Sequence, residues 1–304
     1  MTSLNPDVSQ NKRFKLDSLF NVEGWVAVVT GGGTGIGLMA AQALANNGAR
    51  VYIVGRRKDI LETAVEKHGK HLAHPSGELI ALEADATSKE SIRALATEVG
   101  TREKYVNVLF NNAGISRGPP IDVEAGEEDV HKLSASLWDD DSVDDWTAIY
   151  KTNVVGYHFM AAAFLPLLHA ATTSVAGVSG SIINNASVSG LTRVSQRHFH
   201  YNVSKAGTIH LTTLLAREFA RPAVHVRVNA IAPGVFPSEM TTKERDEANK
   251  SAMEAEGFRE EKGILAGRAG RDEDVAQAVL HLAVNQYVNG QTIAVDGGFL
   301  LGNP

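Results

Sequence analysis

The sequence predicts an α/β protein built on one doubly wound parallel sheet of seven strands, with helices on both faces. Three observations lead to this prediction. From Trp25 onward, short β-branched runs alternate with longer stretches of helical character. The runs are apolar almost throughout, which is typical of strands buried on both faces of a parallel sheet. The first run leads directly into a glycine-rich turn and then into a helical pattern, so strand, turn and helix follow in that order.

Each candidate strand is a short run bounded by polar or turn-forming residues. In chain order they are WVAVVT from residue 25, RVYIV from 50, ELIALE from 78, YVNVLFN from 105, GSIINN from 180, VRVNAIA from 226 and QTIAV from 291. The stretches between them are long enough for the crossover helices that connect parallel strands.

The length and composition favour one large domain. The 304 residues are 43% hydrophobic and 21% charged, which suffices for a single buried core. Residues 1–22 are polar and aperiodic, so we expect an N-terminal extension there and one catalytic domain over 23–304.

Charge and cysteine content exclude several classes of partner and site. The net charge of −6 provides no basic surface for nucleic acid or an anionic membrane, so we expect neither partner. The chain has no cysteine, which excludes disulfides, a thiol nucleophile and cysteine-ligated metals. The first residues lack the apolar stretch of a signal peptide, and no run of about 18 apolar residues is found, so a cytoplasmic protein is expected.

The glycine-rich turn over residues 31–37, Gly-Gly-Gly-Thr-Gly-Ile-Gly, is typical of a dinucleotide site. Without side chains, the backbone N–H groups and the positive end of the following helix can approach a pyrophosphate. Glycine-rich turns alone are weak evidence. The literal G-x-G-x-x-G pattern and the lysine-bearing nucleoside-triphosphate loop are both absent here.

Two segments depart from the alternating pattern. Residues 119–146 contain ten acidic residues and one lysine, and the bland interpretation is a solvated loop; the alternative is a site for a cationic group. Residues 237–268 are highly charged and helix-favouring, with scattered Met and Phe, and we expect a mobile lid that closes over substrate.

Tyr201 and Lys205 form the most informative pair of side chains. They are four residues apart in a segment that is predicted to be a long helix, so both lie on one face, one turn apart. A neighbouring ammonium favours the phenolate and is expected to bring the tyrosine pKa down from about 10 toward neutrality. Such a pair could also be an ordinary helix-surface pair. Ser187 lacks the G-x-S-x-G context of a hydrolase nucleophile.

The order of several blocks carries a family resemblance. The blocks are Thr30-Gly31-x-x-x-Gly35-x-Gly37, Asp85, Asn111 to Gly114, Asn153, Ser187, Tyr201-x-x-x-Lys205 and Pro233-Gly234. In this order they resemble the classical short-chain dehydrogenase/reductase family over roughly residues 24–300. The resemblance implies a Rossmann-type sheet and assembly into a homodimer or homotetramer.

The resemblance also implies the roles of individual residues. The cofactor would contact Gly31, Thr34, Gly35, Ile36 and Gly37 at the pyrophosphate, Asp85 and Ala86 at the adenine, Asn112, Ala113 and Gly114 at the adenosine ribose, Pro233, Gly234 and Val235 at the nicotinamide, and Ser238 at its carboxamide. Tyr201 would exchange the proton and Ser187 would bind the substrate oxygen. Lys205 would bond the nicotinamide ribose, and Asn153 would complete a water-linked proton relay.

The residues after the second strand predict NADP(H) as the cofactor. An acidic residue at this position normally bonds the ribose 2′-hydroxyl of NAD, whereas this chain has Gly55. Arg56 and Arg57 follow and can bind a 2′-phosphate. The alternative is that both arginines lie in solvent.

Histidines raise the question of a metal site, and we expect none. His68, His71 and His74 are three residues apart, but no carboxylate has matching spacing, so exposed histidines are favoured. By the family resemblance His198 and His200 would line a substrate pocket, although a helix-entry loop is an equal alternative.

The expected function is the NADP(H)-dependent reduction of a ketone to an alcohol. The substrate would be a small molecule or a bulky one that resembles a secondary metabolite. Two alternatives remain. One is reduction of a 3-oxoacyl thioester, and the other is a non-redox cyclase or regulatory protein that binds NADP(H) on the same fold. The four catalytic-type residues favour a redox enzyme.

Overall fold

A computed structural model describes residues 8–117, 129–253 and 256–303, and a single seven-stranded sheet forms their centre. The strands are β1 Val26–Thr30, β2 Arg50–Gly55, β3 Glu78–Glu83, β4 Val108–Asn111, β5 Ser181–Asn185, β6 Arg227–Pro233 and β7 Thr292–Val295. Their order is β3-β2-β1-β4-β5-β6-β7, and every neighbouring pair is parallel. The predicted fold class and all seven predicted strands are confirmed.

The helices cover both faces of the sheet. They are α1 Leu16–Leu19, α2 Gly35–Asn46, α3 Lys58–His68, α4 Lys89–Arg102, α5 Val130–Asp139, α6 Val143–Tyr150, α7 Gly156–Ser174, α8 Phe199–Phe219, α9 Glu239–Thr242, α10 Asp272–Val284 and α11 Phe299–Gly302. Short 3₁₀ helices span Val8–Phe14 and Val188–Gly190, and a π-helical turn spans Lys151–Val155.

The alternation of side chains along β1 divides the core into two layers. Ala27 and Val29 pack with residues of α2, α3 and α10 on one face. Val26 and Val28 pack with residues of α4, α7 and α8 on the other. Because both faces are covered, every residue of β1 is buried, which is the reason its sequence is apolar without alternation.

The acidic segment differs from the sequence prediction. Residues 118–128 lie outside the described part of the chain, but α5 and α6 occupy most of residues 130–150, so the predicted loop is wrong there. Acidic and hydroxyl side chains begin these helices. The Asp129 carboxylate accepts hydrogen bonds from the backbone N–H groups of His131 and Lys132, and Ser142 accepts from that of Asp145. Exposure was predicted correctly, since Trp138 of α5 is 84% exposed.

One helical run tests the expectation about membranes. By length and composition alone, the continuous run over residues 143–174 is apolar enough to cross a bilayer. Part of its apolar surface belongs to the protein core, because Met160, Phe164 and Leu168 are buried against the sheet. Core helices of this kind pass the same test.

The carboxyl ends of β1 and β4 are joined by one buried threonine. The Thr30 hydroxyl, on a side chain that is 1% exposed, accepts hydrogen bonds from the backbone N–H groups of Asn112 (2.9 Å) and Ala113 (3.0 Å). In return, the Asn112 amide donates to the carbonyls of Thr30 (3.0 Å) and Gly31 (3.1 Å). The strand order reverses at this point, so these bonds hold open the crevice between the two halves of the sheet.

We therefore expect Thr30→Val to destabilise the protein strongly although it preserves shape. The change leaves two backbone N–H groups without an acceptor, at a cost of about 2–4 kcal/mol in the free energy of unfolding. Thr30→Ser keeps the hydroxyl and loses one methyl group, so it should cost only about 1 kcal/mol. Urea unfolding of the three proteins measures both losses. Equal losses for the two variants would contradict the importance of the hydroxyl.

Candidate active site

A cavity of about 660 Å³ opens where the parallel strands end at their carboxyl termini. Its wall is formed by the glycine turn after β1 and by the segments that follow β2 to β6. The predicted residues that line it are Gly31, Thr34, Gly35, Ile36, Arg56, Arg57, Asp85, Ala86, Asn112, Ala113, Gly114, Ser187, Tyr201, Lys205, Pro233, Gly234 and Ser238. Three predicted site residues, Gly37, Asn153 and Val235, do not line it.

The glycine turn brings the start of α2 to the cavity. Gly31 and Gly35 have φ angles of +63° and +51°, which an L side chain rarely adopts. Gly37 serves packing, since a Cβ there would lie 2.1 Å from the Gly31 carbonyl oxygen. Thr34 precedes α2 but makes no side-chain capping hydrogen bond, so the first N–H groups of the helix face the cavity without a side-chain cap.

Ser187, Tyr201 and Lys205 meet at the other end of the cavity. Ser187 follows β5, and Tyr201 and Lys205 lie on one face of α8, as their spacing predicted. The Ser187 side chain lies close enough to Tyr201 to lower the pKa of its phenol, and its Oγ accepts from the Ser189 N–H at 3.1 Å. The Lys205 ammonium nitrogen lies 5.6 Å from the centre of the Tyr201 ring. It donates to the Asn185 carbonyl at 2.8 Å, so the end of β5 positions both Ser187 and Lys205.

Electrostatics in this corner differ from the sequence-based expectation. Burial raises the pKa of the Tyr201 phenol, and the Ser187 side chain only partly offsets that effect. Burial also lowers the pKa of the Lys205 ammonium to about 7. In the protein alone, the expected lowering of the tyrosine pKa by the lysine is therefore not found. The reason is desolvation, which favours the neutral form of both groups.

Asn153 lies in the π-helical turn between α6 and α7, and its side-chain amide makes three hydrogen bonds to neighbouring groups. Its Oδ1 accepts from the Ile115 N–H at 2.9 Å, and its Nδ2 donates to the Ile115 carbonyl and to Ser204 Oγ, each at 3.0 Å. The side chain therefore connects the loop after β4 to α8. This is a positioning role, and the predicted relay through Asn153 stays a prediction.

Asp85 and Arg56 mark the end of the cavity where the adenosine is expected. The Asp85 carboxylate accepts from the Thr87 N–H and hydroxyl, each at 2.8 Å. Burial alone would raise the pKa of Asp85, but these hydrogen bonds and the nearby charge of Arg56 lower it on balance. Arg56 itself is exposed at the rim.

Arg57 is held by a residue that the sequence analysis missed. Both of its terminal nitrogens bond the carboxylate of Glu239, the first residue of α9. An acidic residue directly after Ser238 was the available signal, but nothing in the sequence placed it opposite β2. Asn185 was also missed; its Nδ2 donates to Asn112 Oδ1 at 2.8 Å, and its own Oδ1 is buried without a partner in the described residues.

The turn after β6 forms the remaining wall. Gly234 packs so closely that a Cβ would lie 2.9 Å from the Asp296 Cα. Val235 points away and packs in a small cluster with Phe258, Ile264 and Phe299, which is why it does not line the cavity. Ser238 reaches the cavity, and its hydroxyl lies 3.1 Å from that of Thr241.

Only part of the predicted lid over residues 237–268 is free of contacts that hold it in place. Met253 and Phe258 contribute to the same apolar cluster as Val235, and Phe258 is 2% exposed. Asn249 is also buried and donates to the Ile60 carbonyl at 2.8 Å. These contacts anchor residues 249–253 and 256–264 to the body of the protein. Within the predicted lid, Met240 lines the cavity and is half-exposed.

The histidines have packing roles. His200 is buried, with Nε2 2.8 Å from the Arg117 carbonyl, and its Nδ1 accepts from the Tyr201 N–H at 2.9 Å. His198 is the residue before α8, which matches the helix-entry alternative. His68 contacts Gln42 and the Ala248 carbonyl and is not fully exposed. In the part of the chain that the structure describes, no group of three potential metal-ligating side chains is close enough to hold an ion.

The residues around the cavity fit a phosphorylated dinucleotide. The start of α2 contributes backbone N–H groups to the wall, Arg56 lies near Asp85, and Arg57 lines the cavity beside Glu239. Lys205 uses one of its three donors on Asn185, and the buried Asn185 Oδ1 lacks a donor. Anion-binding groups at one end and unfulfilled polar groups at the other match a ligand with phosphates and a polar ring.

Comparisons with known proteins identify the family and fold that the chain shares. The family model described as short chain dehydrogenase matches residues 25–249. The chain is 36% identical over 290 residues to the short-chain dehydrogenase/reductase PhomF of Diaporthe leptostromiformis, with 94% of each protein covered. It is 33% identical to the rhamnolipids biosynthesis 3-oxoacyl-acyl-carrier-protein reductase of Pseudomonas aeruginosa, over 93% of this chain and 98% of that protein. The solved Pseudomonas aeruginosa RhlG/NADP active-site complex has a TM-score of 0.73 at 32% identity, covering 92% of this chain and 98% of that one.

The low pKa of Lys205 predicts how stability depends on pH. Between its folded pKa of about 7 and the unfolded value near 10.4, the unfolded chain binds more protons at this lysine than the folded protein does. The free energy of unfolding of the wild type should therefore rise with pH from about 7 to 9.5, relative to Lys205→Met. Chemical unfolding at several pH values measures the difference.

Lys104→Met is the control, because it removes a lysine that is exposed. This variant should show the same pH dependence of the free energy of unfolding as the wild type. A difference between wild type and Lys205→Met that stayed constant over this pH range would show that Lys205 is not destabilised by burial.

Proposed function

We propose that this chain, which belongs to the short-chain dehydrogenase/reductase family, is an NADP(H)-dependent oxidoreductase that reduces a ketone to an alcohol. Membership of the family supports an oxidoreductase with a nicotinamide cofactor. The observation that carries the finer proposal is the meeting of Ser187, Tyr201 and Lys205 in the cavity that the glycine turn closes at its other end.

Two side chains bind and protonate the substrate oxygen in this proposal. When bound, NADPH supplies a hydride to the carbonyl carbon. The Ser187 hydroxyl, which lies beside Tyr201, donates to the carbonyl oxygen and fixes it near the phenol. Tyr201 gives its proton to that oxygen as negative charge develops there. A phenol with a raised pKa holds its proton at neutral pH, so Tyr201 is in the correct form for the reductive direction.

Lys205 assists the proton transfer from Tyr201, and its nitrogen lies over the face of the tyrosine ring. This nitrogen is fixed by the Asn185 carbonyl and lies beside Gly114, where a Cβ would be in ordinary contact with it at 3.5 Å. With a pKa of about 7, the ammonium can lose or regain a proton at little cost near neutrality. In its protonated form, Lys205 stabilises the phenolate left on Tyr201 during the reaction and supplies a proton to restore the phenol.

A 3-oxoacyl thioester is the second candidate substrate. The observation that favours it is the similarity to 3-oxoacyl-acyl-carrier-protein reductases from Pseudomonas aeruginosa and Thermotoga maritima. PhomF is described only as a short-chain dehydrogenase/reductase, so it favours neither substrate. The non-redox alternative is opposed by the complete Ser187, Tyr201 and Lys205 arrangement. NADPH oxidation measured with a panel of ketones and 3-oxoacyl thioesters separates the three, because tight NADPH binding without turnover would favour the non-redox protein.

The proposal extends to the protein's surroundings. We propose that it acts on a small-molecule carbonyl or alcohol and that it works in the cytoplasm, where NADPH is available. Homo-oligomer formation is supported by apolar side chains exposed on the described surface, such as Val143 at 81% and Leu301 at 82%. Light scattering distinguishes a dimer or tetramer from a monomer.

Tyr201→Phe should abolish turnover and leave folding and cofactor binding nearly intact. The change removes the proton donor and almost no volume. We expect kcat to fall by more than about a hundredfold, or about 2.7 kcal/mol of barrier. The same substitution at the fully exposed Tyr287 is the matched control and should leave kcat unchanged. If Tyr201→Phe kept more than about a tenth of wild-type kcat, another group would be the proton donor.

Cofactor preference should depend on Gly55 and Arg56. Arg56→Ala should weaken NADPH use by about 1.5–3 kcal/mol in kcat/KM, the scale of a charge-assisted hydrogen bond, and affect NADH little. Gly55→Asp should shift preference toward NADH. A Cβ at Gly55 would meet only the Leu61 side chain at 3.6 Å, so the variant can be accommodated.

The exposed Arg93 on α4 does not line the cavity, and Arg93→Ala controls for the loss of one positive charge. An unchanged NADPH/NADH ratio in Arg56→Ala, or equal use of both cofactors by the wild type, would oppose this part of the proposal.

A further inference from the structure

Glu239 occupies an unusual position on the wall of the cavity. It follows β6 in the chain but contacts Arg57, which follows β2 on the opposite side. Arg57 Nη1 lies 3.0 Å from Oε1, and Nη2 lies 2.5 Å from Oε2. Each carboxylate oxygen thus receives one nitrogen, which is the two-point geometry that a guanidinium also makes with phosphate.

Two further groups bond the same carboxylate. The Thr34 hydroxyl of the glycine turn donates to Oε2 at 3.3 Å, and Arg245 bonds Oε1. Arg57 and Thr34 are both among the groups expected to contact the phosphates of the cofactor. The carboxylate of Glu239 therefore lies among donors that would otherwise be available to a phosphorylated ligand.

The charge of Glu239 is secured by these contacts. Hydrogen bonds from Arg57, and then from Arg245, outweigh burial and lower the pKa of Glu239 to about 2. The carboxylate is consequently ionised at neutral pH. A 2′-phosphate that approached Arg57 while Glu239 remained there would be repelled by a full negative charge at contact distance.

The surrounding chain allows the carboxylate to move without unfolding its segment. α9 is a single turn, and Glu239 is at its start. Farther along, the segment is anchored by Asn249 to the Ile60 carbonyl and by Lys250 to Asp272. Arg245 lies between Glu239 and these anchors in the sequence. It already bonds the Glu239 carboxylate and can continue to do so after Arg57 is released.

We propose that Glu239 is a specificity-determining residue that competes with the 2′-phosphate of NADP(H) for Arg57. The inference rests on the proposed use of NADP(H). When the phosphate binds Arg57, the Glu239 carboxylate moves to Arg245. NAD(H) has no 2′-phosphate and leaves the Arg57–Glu239 pair intact. Glu239 therefore weakens NADP(H) binding selectively and narrows the preference that Arg56 and Arg57 create.

The test is equilibrium binding, which does not depend on turnover. Calorimetric titrations with NADP⁺, NAD⁺, adenosine 2′,5′-bisphosphate and 5′-AMP compare the wild type with Glu239→Gln. We expect Glu239→Gln to bind NADP⁺ and the bisphosphate about five- to tenfold more tightly, with NAD⁺ and 5′-AMP changed by less than about twofold. Glu247→Gln, at an exposed carboxylate on the same segment, removes the same charge and should change neither.

A second variant shows whether the effect passes through Arg57. In an Arg57→Ala background, the gain from Glu239→Gln should disappear, because the shared guanidinium is gone. Circular dichroism confirms that each variant is folded, and Glu239→Asp, which keeps the charge, supplies a second test if Glu239→Gln does not fold. Glu239→Asp should retain wild-type discrimination more closely than Glu239→Gln does.

The outcomes separate this inference from the proposed function. Unchanged or weaker NADP⁺ binding in Glu239→Gln, or equal tightening for NADP⁺ and NAD⁺, would overturn the competition. A gain that survived in Arg57→Ala would do the same. A wild type without preference for NADP⁺ that acquires one in Glu239→Gln would support the competition while refuting the proposed cofactor preference of the natural enzyme.

Discussion

The reversal of strand order beside β1 is the constraint on which the rest of the structure depends. β2 and β4 lie on opposite sides of β1. The connections that follow β1 and β4 therefore run away from each other and leave the carboxyl end of β1 uncovered. The crevice that remains collects every segment that follows a strand from β1 to β6. Thr30 maintains it by supplying one acceptor to two backbone N–H groups of the chain after β4. Residues distant in sequence therefore face one another without any long excursion of the chain.

Within that crevice, burial controls the chemistry more than charge pairing does. Burial favours the neutral forms of both Tyr201 and Lys205. It therefore raises the pKa of the tyrosine and lowers that of the lysine. The Lys205 nitrogen is bonded to the Asn185 carbonyl, and the Ser187 side chain offsets part of the rise in the Tyr201 pKa. At the opposite end, hydrogen bonds lower the pKa values of the half-buried Asp85 and Glu239, so these carboxylates keep their charges. One cavity thus combines a region suited to proton exchange with a region suited to anion binding.

Much of this arrangement could be predicted from sequence because it depends on local patterns. Apolar runs specify buried parallel strands, and the glycines after β1 and the Tyr201–Lys205 spacing each specify a local geometry. The helices over residues 130–150 were missed because their acidic residues suggested a solvated loop, although Asp129 and Ser142 are helix caps. The Glu239–Arg57 contact could not be predicted, since it joins residues 182 positions apart and depends on how two segments approach in space. The lowered pKa of Lys205 could not be predicted for a similar reason, because desolvation depends on the whole surrounding fold.

The π-helical turn at Lys151–Val155 has a consequence for the phase of the helix that contains it. A π-helical turn holds one more residue than an α-helical turn, and each residue of an α-helix corresponds to a rotation of about 100°. The side chains of α6 are therefore rotated relative to those of α7, although the two helices form one continuous rod. Deleting one residue from the turn would restore a regular helix and swing the α6 face away from the cavity. Alignment of this chain with a relative that has a regular helix here requires a one-residue gap, or the upstream positions will be compared out of register.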